Sequence, residues 1–298
     1  MIRIESLSKK YGGRTVVDDV TFTARSGRVT GFLGPNGAGK STSMRMMVGL
    51  SRPNTGRVTI YGRTFADLPN PGREVGVMLD ASAQHAGRTG REILTLAQRT
   101  MGLPAERVPE MVHRVGLTET EAERRVGSYS LGMRQRLGVA VALLGAPSVL
   151  ILDEPANGLD PAGIRWMRDL LRAFADEGGT VLLSSHLLHE VQVIADDIVM
   201  IGHGRIVSEG SKAELLKGAG TIVRARDTES LERALGESGL VTTRTHDGAV
   251  HTDAEASVVG LVARESGLAL TELRTADDGL EEMFLALTAD TQREGKAA

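Results

Sequence analysis

Gly34-Pro35-Asn36-Gly37-Ala38-Gly39-Lys40-Ser41, with Thr42 behind it, is the stretch on which the fold turns. It fits the pattern G-x-x-x-x-G-K-S, which average composition produces by chance in roughly one chain in a hundred of this length. The apolar run 29–33 precedes it as a strand, and a helix is expected after Lys40. Glycines there let successive backbone N–H groups face inward, and the following helix offers its positive end to an anion. Lys40 adds a mobile point charge for the β- and γ-phosphates of a nucleotide. Ser41 can place a hydroxyl on Mg²⁺, a hard ion that takes oxygen ligands. The alternative is an ordinary glycine-rich strand-to-helix turn.

Further along, the apolar run 149–152 ends in Asp153-Glu154. A strand that ends in two carboxylates suits one acid reaching a metal and another polarising an attacking water. Acidic pairs at strand ends are common, but beside a phosphate loop this one gains force. Strands and helices alternate around it. Residues 148–152, 180–185 and 197–201 read as buried strands, and Asp160-Pro161 starts a helix with Asp as N-cap and Pro at the first helical position. This predicts a largely parallel sheet covered by helices.

Ahead of the loop, 2–8, 14–24 and 28–34 read as strands of a half-buried antiparallel sheet, with another strand pair at 57–61 and 63–65. From about 85 to 145 the pattern is helical. Thr89 with Glu92 and Thr118 with Glu121 fit the capping box, and 104–115 reads as a helix distorted at Pro109. A break near 217–220 separates a first domain, 1–218, from a small α+β domain at 219–290. For that domain, strands at 221–226, 240–246, 249–252 and 268–275 and helices at 228–237, 255–266 and 278–288 make a ferredoxin-like arrangement the candidate. Residues 291–298 read as a flexible tail.

Composition narrows the function. A length of 298 residues suggests one or two domains. With 41% hydrophobic and 24% charged residues, a disordered or collagen-like chain is excluded. There is no cysteine, which removes disulfide scaffolds, cysteine nucleophiles and thiolate metal sites. A formal charge of −3 without a long basic run argues against a protein that grips nucleic acid. The first residues lack a signal peptide's apolar core. The longest uncharged run, 137–152, falls short of the ~20 residues of a spanning helix and is broken by Gly145 and Pro147. We expect a soluble chain with no lipid anchor or transmembrane segment of its own.

With these motifs in order, residues 1–218 resemble the nucleotide-binding subunit of ATP-binding-cassette (ABC) transporters. The resemblance implies an α/β P-loop NTPase with an ABC-type antiparallel β subdomain and a helical subdomain, using ATP and Mg²⁺. It implies that Tyr11 stacks on adenine and that Gly34 to Thr42 hold the phosphates. Ser41 and Asp153 would hold Mg²⁺, Glu154 would polarise water, and His186 would contact the γ-phosphate. Ser130-Leu131-Gly132-Met133 matches the signature loop that meets a facing subunit's ATP. Asn157-Gly158-Leu159-Asp160 matches the loop that crosses between subunits. His186 and His189 also make an H-x-x-H pair, but Glu190 does not complete H-E-x-x-H and no third zinc ligand is evident.

Two departures stand out. Asp80 occupies the place of the family's usual glutamine, where it offers Mg²⁺ or water an oxygen but adds a charge; Gln84 is the fallback if the loop is shifted. Leu131 replaces a signature glycine. Both look like the bacitracin- and daunorubicin-resistance exporters, as does the C-terminal LEEMFLALT. The resemblance then implies a head-to-tail homodimer, or a pseudo-symmetric dimer, of ATPase subunits sandwiching two ATP, docked at the cytoplasmic face on a separate transmembrane permease that exports a drug, antibiotic or lipid-like compound. The competing expectation is a soluble ABC ATPase acting on ribosomes or DNA. Against it stand the single phosphate loop and the lack of a coiled-coil or zinc insertion. An unrelated P-loop kinase or GTPase fails on the signature loop.

Overall fold

Alternating apolar residues bury one face of β1 (Ile2–Tyr11) through Ile2, Ile4 and Leu7, and Val17, Val20 and Phe22 of β2 (Arg14–Ala24) meet them. The two pair antiparallel across a turn in which Gly12 and Gly13 take φ of 52° and 84°, values that glycine adopts freely. The computed structural model describes residues 1–216, 220–245, 247–276 and 284.

The next strand, β3 (Arg28–Leu33), does not join this sheet as the alternation predicts. Residues 29 to 33 are buried on both faces, which suits the interior of a parallel sheet covered by helices. After it come α1 (Lys40–Met47) and β4 (Thr55–Ile60), and β4 completes the antiparallel sheet in the order β2-β1-β4. The strand expected at 63–65 is absent. Arg63 makes a single bridge to Ile60, and Phe65–Asp67 is a 3₁₀ turn. Tyr61 and Gly62, at φ of 48° and 84°, turn the chain too tightly for a ladder to propagate.

A short helix α2 (Pro71–Glu74) leads into β5 (Val75–Met78). The helical stretch follows as α3 (Gly90–Met101), α4 (Arg107–Arg114), α5 (Glu119–Ala122) and α6 (Leu131–Leu143). Both capping boxes are formed: Thr89 with Glu92, and Thr118 with Glu121. Because α4 starts at Arg107, Pro109 lies in its first turn, where its missing N–H has no partner to lose, and it causes no distortion.

Then β6 (Val149–Leu152), α7 (Pro161–Asp176), β7 (Thr180–Ser185), α8 (Leu188–Ile194), β8 (Asp197–Gly202) and β9 (Arg205–Ser211) alternate. The sheet order is β5-β6-β7-β3-β8-β9, parallel through its first five strands. Asp160 caps α7 by accepting the Gly163 N–H at 2.7 Å, with Pro161 at the first helical position. Among the described residues no helix is long and apolar enough to cross a membrane.

The chain divides after Glu209, ahead of the glycine-rich stretch 217–220 that composition marked as the break. Ser211 caps α9 (Lys212–Leu216) reciprocally with Glu214, so the turn out of β9 already starts the second unit. That unit runs β10 (Thr221–Ala225), α10 (Thr228–Glu237), β11 (Thr242–Arg244), β12 (Val250–Thr252), α11 (Ala256–Glu265) and β13 (Leu270–Thr275). Its antiparallel order β11-β12-β10-β13 is the ferredoxin-like one. Val223, Leu231, Leu235, Val250 and Val259 form its core. The helix expected at 278–288 and the tail at 291–298 lie outside the described residues, Phe284 apart.

Candidate active site

The glycine-rich loop joins β3 to α1 at the carboxyl end of the parallel sheet, where open α/β sheets bind ligands. Two of its glycines are forced by neighbours. A Cβ on Gly34 would lie 2.3 Å from the Ile201 carbonyl oxygen. One on Gly39, at φ of 107°, would lie 2.8 Å from the Val16 carbonyl oxygen. The Pro35 carbonyl accepts the Ala38 N–H at 3.2 Å and so closes the loop. Lys40 Nζ donates to Gly34 O at 2.6 Å and Pro35 O at 3.2 Å. It also lies 3.7 Å from Glu154 Oε1. Burial pulls the Lys40 ammonium below the usual lysine range, and the Glu154 and Asp153 carboxylates oppose that pull. A cleft of about 160 Å³ opens here, lined by Asn36, Gly37, Lys40, Ser41, Thr42 and Glu154.

Asp153 and Glu154 leave the end of β6 in contact with both neighbouring strands. Asp153 donates its N–H to Met78 O of β5 at 2.7 Å, and its carboxylate accepts the Ser184 hydroxyl from β7. The same Ser184 Oγ accepts the Glu154 N–H at 3.0 Å. Glu154 has φ of 51°, a left-handed conformation that side chains other than glycine seldom take. Its carboxylate meets Nδ1 of His186, the first residue after β7. His189 is exposed on α8, while His186 is engaged by Glu154, so the zinc pairing gains nothing. Lys40, Asp153, Glu154 and His186 therefore lie together at this end of the sheet. The sequence marks Ser184, which joins the two acids, only as part of a buried strand.

A second cleft of about 240 Å³ adjoins Glu154, lined among others by Asp80, Ser82, Leu131, Gln135 and Asn157. Asp80, not Gln84, faces it. The Gln84 amide nitrogen lies 3.5 Å from where a Cβ on Gly138 of α6 would stand, so that side chain packs on the helix. Ser82 donates its hydroxyl to Asp80 at 2.6 Å and its N–H at 2.7 Å, and these bonds hold the carboxyl below the usual carboxylate range. Asp80 is thus an anion in this site.

Ser130 caps α6, its Oγ accepting the Met133 N–H at 3.2 Å. Leu131 is exposed and packs on Gly158, where a Cβ would lie 2.0 Å from its Cδ2. Gly132 faces Leu159, with 3.6 Å between a Cβ built there and Leu159 Cδ2. The signature and crossing loops therefore touch within one chain. Gln135 of α6, to which the sequence assigns no role, donates to the carbonyls of Asn157 and Glu154. Its position four residues after Leu131 was the available signal. Tyr11 stands apart at the end of β1, half-exposed, its hydroxyl 3.1 Å from Ser51 Oγ and its ring 4.9 Å from Lys9 Nζ.

Comparison with known proteins fits this geometry. The family described as "ABC transporter" matches residues 17–157. The chain is 35% identical to the uncharacterized ABC transporter ATP-binding protein YhcH of Bacillus subtilis (strain 168), covering 99% of this chain and 98% of that protein. It is 33% identical to the bacitracin transport ATP-binding protein BcrA of Bacillus licheniformis, covering 96% and 97% respectively. Against the daunorubicin/doxorubicin resistance ATP-binding protein DrrA of Streptomyces peucetius it is 34% identical, covering 96% and 92%. A solved ATP-binding subunit of an ABC transporter superposes with a TM-score of 0.66 at 30% identity, over 72% of this chain and 91% of that one. On this similarity and this site, the chain belongs to the ATP-binding proteins of ABC transporters and is an ABC-type ATPase.

Proposed function

We propose that this ATPase works as a head-to-tail homodimer at the cytoplasmic face of a separate membrane permease and drives export of a drug, antibiotic or lipid-like compound. The convergence of Lys40, Asp153, Glu154 and His186 at one end of the parallel sheet carries the hydrolytic half of this reading. Similarity to BcrA and DrrA across nearly their whole length supports the export half.

In this reading, Gly34 to Thr42 cradle the phosphates and Lys40 turns from its loop carbonyls to the β- and γ-phosphates. Glu154 polarises a water whose oxygen attacks the γ-phosphorus as ADP leaves, and His186 orients that carboxylate. Ser41 and Asp153, with Asp80 beside them, would hold Mg²⁺. The set is all oxygen, and among the described residues the Ser184 bond engages Asp153 through Oδ1, which leaves its second carboxylate oxygen for a hard cation. When bound, that ion neutralises charge on the β- and γ-phosphates. Tyr11 offers a ring face to adenine. Ser130, Leu131, Gly132 and Met133 meet the facing copy's ATP, and residues 157–160 cross to it.

A tagged pull-down from native membranes in mild detergent, read by mass spectrometry, tests the export half. We expect a polytopic membrane protein without a soluble binding protein. Recovery of ribosomes or DNA-bound complexes instead would leave the ATPase standing and remove the transporter.

A further inference from the structure

The face of α6 that meets the hydrolytic loop is made by its first two turns. Leu131 and Gln135 are four residues apart and so share that face. Leu131 covers Gly158. One turn on, Gln135 Nε2 donates to Asn157 O at 3.1 Å and to Glu154 O at 3.4 Å. The residue is only 5% exposed, and its Oε1 is buried without a partner among the described residues. A buried acceptor left unpaired is destabilising, and a methionine of the same length would avoid it. What the amide provides that methionine does not is the donor aimed at these two carbonyls.

We propose that Gln135 is a positioning residue that ties the signature helix to the hydrolytic carboxylate. The inference rests on the reading above, in which Ser130 meets the facing copy's ATP while Glu154 serves the chain's own. Ser130 caps the helix that carries Gln135. Glu154 holds a left-handed φ of 51°, so the direction of its peptide depends on what grips it. Ser184 grips its N–H and Gln135 its carbonyl. A shift of the first turn of α6, as Ser130 engages phosphate, is thereby passed to Glu154. Each ATP then reports to the other site through one amide, which makes hydrolysis at the two sites cooperative.

The test uses the full chain with Gln135→Met, which keeps reach and loses the donor, and Gln135→Lys, which restores a donor. ATP affinity, kcat, KM and the Hill coefficient are measured for each. We expect Gln135→Met to bind ATP within about twofold of the parent while kcat falls about tenfold, the mark of an interaction that matters in the transition state. Its Hill coefficient should drop to about 1 as the coupling is lost. Gln135→Lys should recover most of the rate. Unchanged kcat and Hill coefficient in Gln135→Met overturn the proposal. So does equal loss of ATP binding, rate and thermal stability in both variants, which would make Gln135 a packing residue. Ser130→Ala reports on the underlying reading separately: a parental rate there removes the signature-loop role, whereas a slow Ser130→Ala beside a fast Gln135→Met removes only the coupling.

Discussion

Glu154 shows how a single residue holds strain for chemistry. A non-glycine residue at a φ of 51° costs on the order of 1 kcal/mol, and here the conformation aims the carboxylate between Lys40 and His186. Glu154→Gln keeps the shape and removes the base, so ATP binding should persist while kcat falls by about 10²-fold or more, as a steady-state assay would read. Glu154→Gly and Glu154→Ala both lose the carboxylate and should be equally inactive, but the glycine variant should melt at the higher temperature of the two, because only glycine takes this φ without strain. A glycine variant that melts no higher than the alanine variant would refute the strain. Lys40→Ala acts on binding instead. Losing the phosphate charge should weaken ATP affinity at least about tenfold in a titration, whereas unchanged affinity would displace Lys40 from the site. Lys40 was legible in the sequence because steric demands fix the glycines around it. Ser184 was not, since a serine in a buried strand has no local mark of the two acids it joins.

At the scale of elements, what was legible is what is local. The capping boxes at Thr89 and Thr118 involve residues three apart, and both formed as read. β3 was misassigned because its partners, β7 and β8, arrive far downstream, and only its burial on both faces distinguishes it from β2. Asp197, the first residue of β8, fixes this non-local pairing. Arg28 reaches it through Nε and Nη2, both at 2.7 Å, and Arg25 through Nη2 at 2.8 Å. Burial works against the Asp197 anion, but the Arg28 and Arg25 bonds outweigh it and its pKa lies below the ordinary value. The bonds therefore stabilise the fold above the unfolded pKa of about 3.9, and that stability is lost as pH falls through the lower, folded value. Both arginines are partly exposed and screened, so Asp197→Asn should cost about 1–2 kcal/mol at neutral pH. Thermal melts at neutral and acid pH check this: the gap between parent and Asp197→Asn should narrow toward pH 3, and a constant gap would refute the linkage.

For the whole molecule, the ferredoxin-like order of the second unit could be read from its alternation of elements, whereas its start could not. Ser211 and Glu214 begin it through a short-range cap, which the glycines at 218 and 220 that stand out in composition do not mark. Assembly leads to the last prediction. If each site takes Glu154 from one chain and Ser130 from its partner, Ser130→Ala and Glu154→Gln chains should each be slow alone, because losing one preorganised donor costs about 10²–10³ in rate. Mixed before ATP is added, the two variants should complement. In a mixed dimer one site joins the intact Glu154 of the first chain to the intact Ser130 of the second, while the other site carries both lesions. Random pairing makes about half the dimers mixed, each with one good site of two, so recovery should reach up to about a quarter of the parental rate. A shortfall below that ceiling measures how far one crippled site slows its neighbour. Titration of one variant into the other should peak at equal amounts. A mixture no faster than the mean of its parts, at concentrations where the parent is dimeric, would mean that each chain hydrolyses ATP with its own signature loop or without one.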